Sequence, residues 1–204
     1  MSNIDCLPKD YKSCKDFSKS YLSYIIDLIK QLDCREIEKF IHLIEASQKN
    51  QETIFIIGNG GSAATASHMA NDLGMVSKKS GQFPIRALAL TDCVPLMTAI
   101  SNDRSYGELF VEQLKIHYRP GDKLIVISAS GNSQNILNAA KWVHSNGGTV
   151  IGLIGFDGGK LKELCDVSLH VKTPVGEFGP VEDIHMILDH LITTWFCRSS
   201  SLSL

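Results

Sequence analysis

Apolar positions recur with two different habits along this chain, and the change falls close to residue 50. From about residue 16 to 46, Tyr21, Ile25, Leu28, Ile29 and Leu32, then Ile37, Phe40, Ile41 and Ile44, recur three or four positions apart. That spacing gathers the side chains on one face of an α-helix. Two amphipathic helices are predicted, and each needs a surface for its apolar stripe, either the core of the same chain or another subunit. Beyond them come short apolar runs at 53–57, 85–90, 123–127, 149–154 and 167–171, each followed by a helical stretch. Runs this short, without clean alternation, suit strands buried on both faces, as in a parallel sheet covered by helices. The succession predicts a doubly wound α/β domain. Gly121-Asp122 and Gly147-Gly148 punctuate the approaches to two strands, and 181–196 gives a last helix. The tail 198–204, with four serines, reads as loose. No repeat or linker divides the chain, so 1–204 is expected to be a single domain with N-terminal helices over 1–50.

Composition narrows the class without naming a function. The chain has 204 residues, 44% of them hydrophobic, enough for one substantial core. Its 20 basic and 22 acidic residues leave a formal charge of −2, and the basic residues form no stripe. No nucleic-acid or membrane-surface partner is expected from such a balance. No apolar run approaches the roughly 18 residues of a membrane span, and the charged N-terminus lacks the apolar core of a secretion signal. Six dispersed cysteines without a C-x-x-C pair fit a reduced compartment. The expected location is the cytoplasm.

Ligands of a doubly wound sheet collect beyond the carboxyl ends of its strands, and two loops there carry chemistry. Gly58-Asn59-Gly60-Gly61-Ser62-Ala63 follows the first strand and opens a helix. Glycines permit tight turns, and a helix N-terminus offers free N–H groups to an anion. The same string satisfies the loose dinucleotide pattern, so an oxidoreductase has to be weighed. That fold wants an acidic residue about 20 positions on, whereas Asp92 lies roughly 30 away. Ser128-Ala129-Ser130-Gly131-Asn132-Ser133 leaves the third strand and opens another helix. Three hydroxyls and a glycine at a helix N-terminus surround an anion with neutral donors. No Gly-Lys-Ser/Thr string occurs, which argues against ATP chemistry.

The strings GNGGSAATASH, RPGDKLIVISASGNSQN and VEDIHMILDH, in that order, resemble the sugar isomerase (SIS) family, and within it the phosphoheptose isomerases. The likeness spans nearly the whole chain. It implies a flavodoxin-like, five-stranded parallel sheet and a phosphosugar substrate. By resemblance, Ser62, Ser128, Ser130 and Ser133 bind the phosphate, with Asn59, Gly60, Gly61 and Asn132 near the substrate and Asp103 orienting the sugar. His68, Asp72, Glu182 and His190 match the family's catalytic and often zinc-binding centre, which implies one Zn²⁺ per subunit. A homotetramer is implied in the same way. Residues at i and i+4, as His68 and Asp72 are, also project from one helical face, which suits a shared ligand. The chain departs from the heptose pattern in carrying Asp72 for Glu, Glu182 for Gln, and Val76 for Arg.

The implied reaction is conversion of sedoheptulose 7-phosphate to an aldoheptose 7-phosphate for surface-glycan biosynthesis, lipopolysaccharide or capsule. An enediol path needs a carboxylate within reach of the first two sugar carbons, Asp72 or Glu182, and His190 to exchange protons with the oxygens. The alternative is a non-catalytic SIS module that binds a phosphosugar or a protein partner. Such a module has no need of His68, Asp72, Glu182 and His190 together.

Overall fold

The computed structural model describes residue 7 and residues 9–76 and 83–199. Two helices, α1 (Cys14–Ile29) and α2 (Cys34–Asn50), precede β1 (Thr53–Gly58), α3 (Gly61–Val76) and β2 (Arg86–Ala89). Then follow α4 (Val94–Asp103), α5 (Leu109–His117), β3 (Lys123–Ser128), α6 (Gln134–Ser145), β4 (Thr149–Gly155), β5 (Val167–Val171) and α7 (Phe178–Ser199). The five strands form one parallel sheet in the order β2-β1-β3-β4-β5, the doubly wound arrangement expected from the sequence.

Burial on both faces explains why the strands read as continuous apolar runs. Successive side chains of a strand point to opposite faces. Ile54 and Ile56 of β1 therefore join Phe40, Ile44, Met69, Leu73 and Leu188 on one side. Phe55 and Ile57 join Leu109, Phe110, Leu114 and Ile136 on the other. Each such side chain, fully buried, is worth about 1.5–3 kcal/mol relative to exposure. The N-terminal helices, expected as an extension, are part of the first of these layers: Ile25 and Leu28 of α1 and Phe40, Ile41 and Ile44 of α2 all belong to its core.

The clearest differences from the sequence expectation fall at an edge strand and at the last helix, which begins at Phe178. The run 85–90 pairs only over Arg86–Ala89, with Arg86 and Leu88 exposed, because β2 is an edge strand. The last helix continues through residues 198 and 199, expected to be loose, while 200–204 lie outside the described residues.

Asp122 aligns the two strands that matter most for the site. Its Oδ1 accepts the Thr53 N–H at 2.7 Å and its Oδ2 the Arg119 N–H at 2.8 Å. Both carboxylate oxygens are thereby satisfied at the entry to β1 and β3, and Ile54 lies opposite Lys123. The same register puts Gly58 opposite Ile127, so the loops that leave β1 and β3 emerge side by side.

Candidate active site

In this strand order the crevice opens between β1 and β3, where the connections diverge to opposite faces. Both chemistry-bearing loops lie there. The first makes its turn at Gly60, whose φ of +55° is a left-handed conformation, and its carbonyl accepts the N–H groups of Ala63 and Ala64. The second is folded on itself and against the turn after β4. Ser128 Oγ accepts the Gly131 N–H at 3.0 Å. Asn132 Nδ2 donates to the Ser130 carbonyl at 2.9 Å, and Asn132 Oδ1 accepts the Lys160 N–H at 3.2 Å. The Asn132 side chain is thus spent on shaping the loop. Gly131 has φ +60°, and a Cβ there would lie 2.1 Å from the Gly158 carbonyl oxygen. Ser133 starts α6 without using its hydroxyl as a cap.

A cavity of about 120 Å³ joins the two loops. Asn59 and Ser62 line it from the first loop, Ser128, Ser130 and Ser133 from the second, and Phe178 and Glu182 from α7. The N-termini of α3 and α6 both open at it, which favours an anion there. Gly60, Gly61 and Asn132 are not among the residues lining the cavity. The Gly61 position is tied to Glu182: a Cβ on it would stand 2.5 Å from Glu182 Oε2 and 2.6 Å from Oε1. Burial, followed by the neighbouring Asp183 charge, holds the Glu182 carboxyl above the usual range.

Asn59 is locked by partners that sequence reasoning did not single out. It forms a reciprocal amide pair with buried Asn135, both bonds at 2.9 Å, and its Oδ1 also accepts the Tyr106 hydroxyl at 2.8 Å. No motif announces such a pairing, because the partners lie in different elements, Asn135 on α6 and Tyr106 in the turn before α5. Asp103 ends α4 in solvent, accepting the Asn102 side-chain amide at 2.9 Å, and is not among the residues lining the cavity.

A second polar cluster lies between α3 and α7. His68 Nε2 is 3.2 Å from His190 Nε2, 3.4 Å from Asp72 Oδ2 and 4.0 Å from Asp189 Oδ2. These four residues each offer one ligand atom within 4.8 Å of the others. Glu182, expected in this group, lies instead at the cavity, and Asp189 occupies the fourth place. Asp189 is fully buried. Its Oδ1 accepts the Thr193 hydroxyl at 3.3 Å, while Oδ2 has no hydrogen-bond partner among the described residues. Burial and the Asp72 charge push its carboxyl up to about 6, opposed by His68, His190 and Thr193. In the sequence Asp189 directly precedes His190 and is one of five ionisable residues between 182 and 190.

α3 and α7 run parallel: Gly61 meets Glu182 near their starts, and His68 meets His190 further along. Six residues separate Ser62 from His68 and seven separate Glu182 from Asp189, so the cluster lies about 10 Å beyond the cavity along both helices.

The SIS domain profile matches residues 20–155. A phosphoheptose isomerase from Aliarcobacter butzleri is 37% identical over 177 residues, 85% of this chain and 92% of that protein. The solved phosphoheptose isomerase of Neisseria gonorrhoeae superposes with a TM-score of 0.81 at 29% identity, over 90% of this chain and 98% of the other. That of Francisella tularensis gives 0.80 at 25% identity, over 91% and 99%.

Proposed function

The chain belongs to the SIS domain family, in its phosphoheptose isomerase branch, and on that premise we propose that it interconverts sedoheptulose 7-phosphate and an aldoheptose 7-phosphate. One observation carries the reading. An anion-suited cavity and a histidine–carboxylate cluster are mounted about 10 Å apart on the same two parallel helices. That separation is comparable to the reach of an extended seven-carbon sugar from its terminal phosphate to its carbonyl. Phosphate held by Ser62, Ser128, Ser130 and Ser133 therefore delivers the carbonyl end to His68, Asp72 and His190.

At that end a carboxylate takes a proton from C1 and returns it to C2 through the enediol. Asp72 is the nearer candidate, because Glu182 stands at the phosphate end. His190 moves the accompanying proton between the two oxygens, a task suited to an imidazole at neutral pH. Glu182, whose carboxyl lines the cavity, serves it as a hydrogen-bonding group for the sugar. Asn59, fixed by Asn135 and Tyr106, retains one amide N–H for the substrate.

A divalent ion, Zn²⁺ with one per subunit, supplies Lewis acidity toward the carbonyl and enediolate when bound. The cluster fits it. Nitrogen and carboxylate oxygen are accepted zinc ligands, and bonds of about 2.0–2.1 Å in a tetrahedron set neighbouring ligand atoms about 3.3 Å apart. The three contacts from His68 Nε2 lie between 3.2 and 4.0 Å.

Leu22 and Ile26 of α1 and Leu191 and Trp195 of α7, on contacting helices, are exposed apolar side chains that support the homotetramer. Among the described residues no helix is long and apolar enough to cross a membrane. A cytoplasmic role feeding surface-glycan assembly, lipopolysaccharide or capsule, completes the proposal. The deciding assay offers sedoheptulose 7-phosphate and a five-carbon ketose phosphate to metal-supplemented enzyme. Aldose formation is expected from the first at more than tenfold the rate of the second. No aldose from the heptulose overturns the reading.

A further inference from the structure

We infer that Asp189, rather than Asp72, is the carboxylate ligand of the divalent metal, so that His68, Asp189 and His190 hold the ion and Asp72 is left free for proton transfer. The inference rests on reading the cluster as a metal-bearing isomerase centre.

Three observations on this chain lead to it. Asp189 has no exposed side-chain surface, and its Oδ2 lacks a hydrogen-bond partner among the described residues. A buried carboxylate oxygen without a partner is costly unless a cation compensates it. Second, that oxygen faces His68 Nε2, the same nitrogen that faces His190 Nε2. A carboxylate that only oriented the imidazole would approach the other ring nitrogen, Nδ1, as supporting carboxylates of metal-bound histidines do. Asp189 is aimed at the common centre, as is Asp72 Oδ2 at 3.4 Å from the same nitrogen, so burial and missing partners, not distance, set the two carboxylates apart. Third, Asp72 differs in kind: its side chain keeps 22% of its surface exposed and its Oδ1 accepts the Asn71 side-chain amide at 3.1 Å. It is solvated and partnered without any ion.

The consequence is a division of labour. Two imidazoles and one carboxylate form the three-ligand set of a catalytic site with a position left for substrate oxygen. Asp72, 3.4 Å from His68 Nε2, would be left free of the ion. Thr193, which donates to Asp189 Oδ1 at 3.3 Å, holds the ligand carboxylate in its orientation.

The test compares Asp189→Asn and Asp72→Asn by chelator competition for Zn²⁺ on the resting protein, without substrate. The visible spectrum of the Co²⁺-loaded forms gives a second readout. Asp189→Asn is expected to weaken the metal by at least tenfold to a hundredfold and to change the cobalt spectrum. Asp72→Asn is expected to keep affinity within about threefold and the spectrum unchanged, while turnover collapses. Melting without metal serves as the folding control, and Asp189→Asn is expected to melt no lower than the parent there, because a buried unpaired charge has gone. Equal or greater loss of affinity in Asp72→Asn, or undiminished affinity in Asp189→Asn, overturns the assignment. So does a parent protein that binds no Zn²⁺. A protein that binds metal through Asp189 yet converts no heptulose would leave the ligand assignment standing and remove the isomerase reading.

Discussion

His68 Nε2 and His190 Nε2 face each other at 3.2 Å, with their rings at 65°, although 122 residues separate them in the chain. Two imidazole nitrogens at that distance need a single proton or a single cation between them. Replacing His68 with Ala removes one of the two donors. Zn²⁺ affinity measured against a chromogenic chelator should fall at least tenfold, with turnover falling alongside. Unaltered affinity would mean that the cluster is not a metal site.

Ser130→Ala addresses the other end of the substrate. A hydrogen bond to a charged group is worth about 1.5–3 kcal/mol, so KM for the phosphosugar should rise about tenfold to a hundredfold. The contact is remote from the reacting carbons and is made equally in ground and transition states, so kcat should move little. Steady-state kinetics separate the two effects, and an unchanged KM would remove the serine loop from phosphate binding.

Gly61→Ala probes the link between the glycine loop and Glu182. The new methyl would stand 2.5 Å from a Glu182 carboxylate oxygen, so that side chain must shift. Displacing a substrate-positioning group by an ångström is expected to cost kcat/KM about tenfold or more. Folding should be little affected, because Gly61 is a helical position at which alanine is favoured. Full activity in a normally folded variant would show that Glu182 has no part at the site.

His185 supplies a pH dependence. It is fully buried on α7, and burial, opposed by the Ile154 backbone, pushes its pKa down to about 4. The folded state therefore holds it neutral, while the unfolded chain takes up a proton below its ordinary value of about 6.5. Its contribution is present above pH 6.5 and is lost as pH falls through 4, on the order of 3 kcal/mol over the whole window. Denaturant titrations of His185→Leu should show a flatter loss between those pH values than the parent. The same slope in both would place the acid sensitivity elsewhere; half-buried His170, also lowered by burial, is the next group.

Phe40→Ala tests whether α2 is core. Phe40 has no exposed surface and packs in the same layer as Ile44, Ile54 and Leu188. Truncation should cost about 3–5 kcal/mol in urea unfolding. A loss below 1 kcal/mol would make α2 the detachable extension that its sequence position suggested.

Much of the fold was legible because its signals are local. The five apolar runs correspond to the five strands, since a strand buried on both faces has to be apolar at every position. The limits of 85–90 and both ends of the last helix were misjudged. An edge strand and a helix terminus are decided by which neighbours are present, not by their own residues. The glycine and serine loops were visible for the same local reason: turns with left-handed glycines and free helix N-termini require particular residue types in series.

What the sequence by itself determined is the doubly wound sheet, the two anion-suited loops at its switch point, and the stock of histidines and carboxylates on α3 and α7. What only tertiary structure decided is how that stock is divided. Glu182 and Asp189 are both acidic residues on one helix, seven positions apart. Parallel packing of α3 and α7 sends the first to Gly61 and the second to His68 and His190. Asn59 is fixed by Asn135 of α6 and by Tyr106 of the turn before α5, while Asp103 ends α4 in solvent. A side chain's partners depend on helix rotation and crossing, which are set by the whole apolar interface and written in no single motif.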